Sequence, residues 1–416
     1  MSRVIVILAI LFPLLLAPVL GAAPAFFGAA LAQGGYALNW HTVTGGGIMQ
    51  GAGGDYVLSA TAGQPAAGML DGGAFTLSGG FWAGAGASMP DGAAGLVVNT
   101  TGDTDDGACD ATHCSLREAV NAANANAGPD TIAFNIPGSD PGCDGGGVCV
   151  IQPASLLPFL SGDGTTIDGF TQPGASSGDD PVLKIVLDGY DNGQFSGLVL
   201  SGAGNTIRGL VIQRFTPFTA IEIFGAGAAD NHIRENFIGT DPGGTEPRGN
   251  CTPPTSCAAI SINGRAHDNT IGPHNLIAFN GRGVQVFDDG ARGNTITRNR
   301  IHSNVEQGIW LAFGGNDELA APVITFAHST QVAGTACANC VVEIFSDAED
   351  EGAIYENATT AGATGHWTVT GPSGFNGPNI TATATDALGN PSQFSAPAPV
   401  SESEGWLLYL PLAFRK

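Results

Sequence analysis

Apolar residues along the chain fall mostly in short runs that alternate with polar ones, the period of a strand rather than of a helix. Between about residues 196 and 316 one such run recurs as Gly197-Leu-Val-Leu200, Ala220-Ile-Glu-Ile223, Ala259-Ile-Ser-Ile262, Gly283-Val-Gln-Val286 and Gly308-Ile-Trp-Leu311. A second alternates with it: Asn205-Thr-Ile-Arg, Asn231-His-Ile-Arg, Asn269-Thr-Ile-Gly and Asn294-Thr-Ile-Thr. Apart from one long step that carries Cys251 and Cys257, the period is about 23 to 26 residues, which predicts the coils of a parallel β-helix. Strands of successive coils stack about 4.8 Å apart, so each inward Ile, Val or Leu lies on its equivalent in the next coil. Asn at matching turns can bond up and down the stack. Asn205, Asn231, Asn269 and Asn294 make one expected ladder; Asn236, Asn275 and Asn299 make another. Taken as one solenoid, residues 95–318 predict about nine coils and a rod on the order of 45 Å long.

One stretch breaks the strand period. Leu116, Ala119, Val120 and Ala123 share a helical face, and Ser115 with Glu118 forms a capping box before it. A helix over 115–125 would sit at the N-terminal end of the solenoid, where unpaired strand edges need a cover. Residues 33–88 are Gly-rich, with runs Tyr36–Trp40, Tyr56–Thr61 and Phe75–Ser78 between Gly clusters, and predict a small module of β-hairpins. Residues 320–400 carry Val323-Ile-Thr, Gln331–Gly334, Val341–Phe345, His366–Thr370 and Asn379–Thr385. Short strands at that spacing predict an immunoglobulin-like β-sandwich. The tail, 401–416, is apolar with a basic end. The class is therefore all-β.

The first 32 residues read as an export signal: Arg3, an apolar run Val4–Leu20, and Ala30-Leu31-Ala32 before a cleavage expected ahead of Gln33. Beyond that run no segment is long and apolar enough to span a bilayer, so the mature chain is expected to be secreted or held at the cell surface. Eight cysteines fall into four close pairs, Cys109/Cys114, Cys143/Cys149, Cys251/Cys257 and Cys337/Cys340. An even count in an exported chain favours disulfides over a zinc site, for which paired CxxC motifs would be needed and only Cys337–Cys340 has that spacing. Charge narrows the partners. With 37 acidic residues against 14 basic, the net charge is −23, and only Lys184 and Lys416 are lysines. A phosphate backbone needs clustered cations, so no nucleic-acid partner is expected.

Cys114-Ser-Leu-Arg-Glu-Ala119, with the Asp-rich turn before it and Asp130-Thr-Ile-Ala-Phe after it, resembles the CSLREA domain of bacterial surface proteins. That domain commonly precedes right-handed parallel β-helix repeats, and the coils here are similar to that class. The segment Pro322–Ser395 resembles bacterial Ig-like modules attached to such proteins, and the Gly-rich N-terminal module and Tyr-Leu-Pro-Leu tail resemble segments of secreted proteins from green non-sulfur bacteria. The resemblance implies a secreted or surface location and carries no catalytic residues.

Three constellations offer chemistry. Asp288 and Asp289 with Arg292 follow a core strand, and Arg265, His267 and Asp268 occupy the matching turn one coil earlier. Stacking could bring these groups together as the acid, base and cation of a polysaccharide lyase or hydrolase, although Asp-Gly is also ordinary turn chemistry. Asp103, Asp105, Asp106 and Asp110 crowd around Gly107 like a calcium loop, but Cys114 stands where an EF-hand has its twelfth-position Glu. Asp347, Glu349, Asp350 and Glu351 form another acidic cluster, with a solvated turn the plainer reading. No cofactor is expected, with calcium the one ion the chain invites. Histidines 232, 267, 274 and 302 lie in coil turns with no metal-binding spacing. Trp310, Tyr190 and Phe218 are candidate sugar platforms. The expected function is a non-catalytic surface rod acting in adhesion, display or glycan binding, with a polysaccharide lyase or glycoside hydrolase acting on a long glycan, acidic or neutral, as the rival.

Overall fold

A computed structural model describes residues 95–178, 180–190, 195–251, 257–371 and 373–401 in full, and residues 30–32, 36–38, 48–53, 56–61, 68–72 and 75–79 as strands. The chain divides into two compact units, Met1–Ala93 and Ala94–Lys416. In the first unit Ile48–Gly53, Tyr56–Thr61, Gly68–Gly72 and Phe75–Gly79 form an antiparallel sheet in sequence order, a meander of hairpins. Ala30–Ala32, the expected cleavage motif, pairs antiparallel with Tyr36–Leu38. The apolar run Val4–Leu20 and the tail 402–416 lie outside the described residues.

The second unit is built on three parallel sheets of seven, six and five strands. The first sheet runs Leu96–Val98, Thr131–Phe134, Thr166–Asp168, Thr206–Arg208, His232–Arg234, Thr270–Ile271 and Thr295–Ile296. The second runs Cys149–Ile151, Ile185–Asp188, Leu210–Gln213, Phe237–Ile238, Leu276–Ala278 and Arg300–His302. The third runs Leu198–Leu200, Ile221–Phe224, Ala258–Asn263, Arg282–Phe287 and Ile309–Ala312. From Leu198 onward the chain visits third, first and second sheet in strict rotation. The longest sheet is seven strands deep, roughly 29 Å at 4.8 Å per step, shorter than the nine expected coils. The difference lies in described residues such as 169–178, 180–184 and 239–251, which lie between strands instead of forming further levels.

Register explains the composition. In the first sheet Leu96, Ile132, Ile167, Ile207, Ile233, Ile271 and Ile296 stack residue on residue, all buried. In the third, Leu198, Ile221, Ile260, Val284 and Ile309 do the same. These columns share one core. The strands are two to six residues long and bury no complete apolar face alone, so each draws its stability from its neighbours in the stack.

Buried asparagines satisfy the turns. Asn205 N donates to Asn231 Oδ1 at 2.8 Å, Asn231 N to Asn269 Oδ1 at 3.0 Å, Asn269 N to Asn294 Oδ1 at 3.2 Å and Asn294 N to Asn316 Oδ1 at 3.1 Å. Asn236, Asn275 and Asn299 form the second expected ladder. Asn250, Asn280 and Asn304 form a third. Asn250 sits beside the Cys251 insert, which throws it out of phase with the other turns, and sequence reading missed it.

The helix forms at Leu116–Ala125 with the expected capping box: Glu118 N donates to Ser115 Oγ and Ser115 N to Glu118 Oε2. Leu116, Ala119, Val120 and Ala123 bury into the core, beside Leu96–Val98, the edge strand of the first sheet. All four cysteine pairs are disulfide-bonded.

Residues Val323–Pro399 form two antiparallel sheets. One holds Val323–His328, Gln331–Thr335 and His366–Thr370; the other holds Ile354–Thr360, Val341–Asp347, Asn379–Thr385 and Ala398–Pro399. Val332, Trp367 and Val369 from the first meet Val342, Ile344, Ile380 and Ala382 from the second in one core. Ile354–Thr360 was not expected, because its half-exposed, largely polar sequence shows no alternation.

These sheets cover the open end of the parallel stack. Ile301 and Gly352 exchange backbone bonds at 2.9 and 2.7 Å, Gly293 N donates to Asn390 Oδ1 at 2.7 Å, and Thr297 Oγ1 and Arg298 N donate to Glu343. Glu351 accepts from Asn304 N at 3.1 Å and from Asn304 Nδ2, so it stands as the last rung of the third ladder. Each contact satisfies a group that a terminal coil would otherwise leave unpaired.

Candidate functional site

The acidic loop before the helix does not gather its four aspartates around one point. Asp103 is clasped by the Arg117 guanidinium at 3.1 and 2.7 Å and also accepts from Ala154 N. Asp105 accepts from Gly107 N and Asn121 Nδ2. Asp110 caps the N–H groups of Thr112 and His113, and the His113 bond leads in holding its carboxyl below the usual range. Asp106 instead joins His113 and Glu118, with ligand atoms all within 4.8 Å of one another, the one such group among the described residues. Burial works against the Glu118 charge, yet N–H bonds from Ser115 and Asp106 outweigh it and hold its pKa low. Of the four aspartates expected to hold calcium, Asp106 alone joins this group, while Asp103, Asp105 and Asp110 are bonded elsewhere. Ca²⁺ takes six to eight oxygens, so Asp106, His113 and Glu118 would supply only part of such a shell.

The turn residues of the third sheet do stack, but into fixed pairs. Arg265 N donates to Asp288 Oδ2 at 3.2 Å, and Asp288 adopts a left-handed φ of 102°. Its Oδ1 is shielded and receives no hydrogen bond. His267 Nδ1 lies 2.8 Å from Asp268 Oδ2. Arg292 bridges Asp289 at 2.9 Å and Asp317 at 2.6 Å, and Asp317 also meets Asn390 Nδ2. A general acid and base need two carboxyl groups facing an open bond, whereas here the exposed pair is neutralised by one guanidinium. Because Arg292 retains Asp317, Asp289→Ala should leave thermal stability almost unchanged, within about 0.5 kcal/mol in a melting experiment. A loss of 2 kcal/mol or more would show that the bridge is a structural fastening.

The face of the third sheet turned away from the core carries a polar network that is largely buried: Ser196, Ser261, Asn263 and Gln285 are buried and Glu222 is half-buried. Strand alternation points Ile221, Ile223, Ile260, Ile262, Val284, Val286, Ile309 and Leu311 inward and turns the residues between them to the other side. Val199, Glu222, Ser261, Gln285 and Trp310 therefore align across five strands. Ser196 Oγ donates to Glu222, Asn263 Nδ2 to Glu222 and Ser261, and Gln285 Nε2 to Ser261 at 2.9 Å. Aromatic rings border this network. Phe224 is 47% exposed and Phe313 75% exposed, while Phe287 and Phe313 pack at 6.4 and 6.2 Å from the Trp310 ring. The Arg282 guanidinium lies 4.3 Å over Trp310, which makes that ring a support for Phe313 more than an open platform. Tyr190 is 52% exposed with the Arg214 guanidinium 4.4 Å over its ring, and Phe218 is 36% exposed. Sequence reading named Trp310 but missed Phe224 and Phe313, which follow the core residues directly and read as part of the apolar runs.

The acidic cluster 347–351 is split by burial. Asp347 and Glu351 are buried at the junction with the parallel stack; Glu349 and Asp350 are exposed. Burial, with Asp347 and Asp350 nearby, pushes the Glu351 carboxyl up to about 8, and burial likewise raises Glu343. Of the coil-turn histidines, His302 is half-buried, and burial with Arg300 beside it lowers its pKa. Among the described residues no helix is long and apolar enough to cross a membrane. No family model matches the chain, and no curated protein matches its sequence.

Proposed function

We propose that this is a non-catalytic extracellular or cell-surface protein that binds glycan chains along the outer face of its third parallel sheet. The supporting architecture is read as a right-handed parallel β-helix, opened by a CSLREA segment with its capping helix and closed by an Ig-like module. Four disulfides are consistent with an oxidising compartment outside the cytoplasm.

The observation that carries the binding reading is the Glu222–Ser261–Asn263–Gln285 network bordered by Phe224 and Phe313. Sugar rings present C–H faces to aromatic rings, which the exposed Phe224 and Phe313 supply, and hydroxyls to polar groups, of which the half-buried Glu222, bonded to the buried Asn263, is the accessible one. The rival, cleavage at Asp288 and Asp289, lacks an unpaired carboxylate couple.

Affinity electrophoresis through gels containing a panel of neutral and acidic polysaccharides tests this. Retardation by at least one polysaccharide is expected, and Phe224→Ala/Phe313→Ala should weaken it about tenfold, in line with roughly 0.5–1.5 kcal/mol per aromatic contact. Both rings are exposed, so melting should be unchanged. Unsaturated products or new reducing ends, abolished by Asp288→Ala/Asp289→Ala, would instead establish an enzyme.

A further inference from the structure

A second surface gathers cations in a chain that has few. Its cavity, about 810 Å³, opens between the second parallel sheet and the strand Ile354–Thr360. Three basic side chains line it. His274 and Arg298 occupy equivalent left-handed turn positions, with φ of 67° and 50°, and His274 N donates to Arg298 O. Arg300 stands in register with Leu276, whose neighbour in the sheet is Phe237. Pro242 lies in the lining with Ile354 and Tyr355, and among the described residues Asp180 is the one carboxylate there.

With 37 acidic residues against 14 basic, most guanidiniums of this unit are already spoken for. Arg117, Arg208, Arg214, Arg234, Arg282 and Arg292 each hold a carboxylate. Arg300 has no carboxylate partner among the described residues, and its Nε makes one long bond, 3.4 Å, to Ala353 O. Arg298 reaches Glu343 only at 3.9 Å and lies 5.7 Å from the Tyr355 ring centroid. A guanidinium fork matches a carboxylate in two parallel bonds, and an unused one beside a roomy apolar wall favours a flat anion with C–H faces. The cavity falls in the range of small-ligand clefts, ~300–1,000 Å³.

We propose that this cleft binds a carboxylate-bearing saccharide, a uronic-acid residue of an acidic glycan, with Arg300 on the carboxylate and Tyr355 and Ile354 against the ring. The site is separate from the third-sheet face and stands or falls independently of it. Titration calorimetry of the full chain with a galacturonate tetrasaccharide tests it, with a neutral cellotetraose and inorganic sulfate as comparisons. The tetra-uronate should bind, cellotetraose should bind at least tenfold more weakly, and sulfate at matched charge should not compete. Arg300→Gln should weaken the uronate at least tenfold. Arg300→Lys, which keeps the charge without the fork, should recover only part of that loss. Asn126→Ala, an exposed change at the helix end outside both surfaces, should leave this binding intact. Equal affinity for the neutral sugar, displacement by sulfate, or an Arg300→Gln variant that binds like the parent would overturn the proposal.

Discussion

Asn269→Ala should cost about 3–5 kcal/mol of stability, more than any surface change in the protein, with the midpoint of denaturant unfolding as the measurement. Asn269 is fully buried in the middle of the longest ladder. Its Oδ1 accepts from both Asn231 N and Asn231 Nδ2, and its Nδ2 donates to Asn294 Oδ1 at 2.8 Å and Ala228 O at 3.0 Å. Alanine removes all of these. The Asn231 backbone N–H is then left without a partner in a site closed to water, which alone is worth about 1–3 kcal/mol. The lost side-chain bonds and the small void add the rest. Asn126, exposed and bonded to Asp130 at 3.0 Å, supplies the control. Asn126→Ala should change stability by under about 0.5 kcal/mol. Similar losses at the two positions would mean that the ladder only decorates the turns and that the stacked isoleucines hold the stack unaided.

That ladder also shows why so much of the stack was legible. An Asn in phase with other Asn residues carries its partner in its own spacing, because each rung repeats the chemistry of the one beside it. The same holds for Ile207, Ile233, Ile271 and Ile296, each paired with itself one level on. Where spacing is broken the signal disappears, as at Asn250. The second sheet was obscured for a different reason: one glycine, Gly209, separates Thr206–Arg208 from Leu210–Gln213, so two strands in two sheets read as one run. Gly209 turns the chain with φ of 73°, a conformation that costs glycine little.

Candidate chemistry was less legible because it depends on contacts between unlike residues. Nothing near Arg292 in sequence announces that Asp317 will share it with Asp289. Arg300, conversely, looks like any strand residue, and its significance comes from having no carboxylate partner among the described residues. Glu351 sat in a run read as a solvated turn, yet the parallel stack closes over it.

The buried Glu351 should make stability fall as pH rises across the neutral range. Its folded pKa of about 8 stands above the ordinary 4.5, so between those values the folded chain holds a proton that the unfolded chain has released. The stabilising contribution is fully present below pH 4.5, declines through neutrality and is gone above pH 8, by at most about 5 kcal/mol. Glu343 shifts in the same direction, whereas the lowered His302 acts oppositely as pH falls. Asp110, Glu118, Asp140 and Asp241, all lowered, withdraw support only in acid. A single substitution isolates the one group. Glu351→Gln keeps an oxygen to accept from Asn304 and cannot ionise. Denaturant midpoints measured from pH 5 to 9 should nearly coincide for parent and variant at the acid end. At the alkaline end the variant should be the more stable, by a few kcal/mol. Curves that stay parallel from pH 5 to 9 would mean that Glu351 is charged throughout and that Asn304 alone neutralises the cost of its burial. Curves that diverge would make the junction between the parallel stack and the C-terminal sheets a place where protonation helps to hold the cap on.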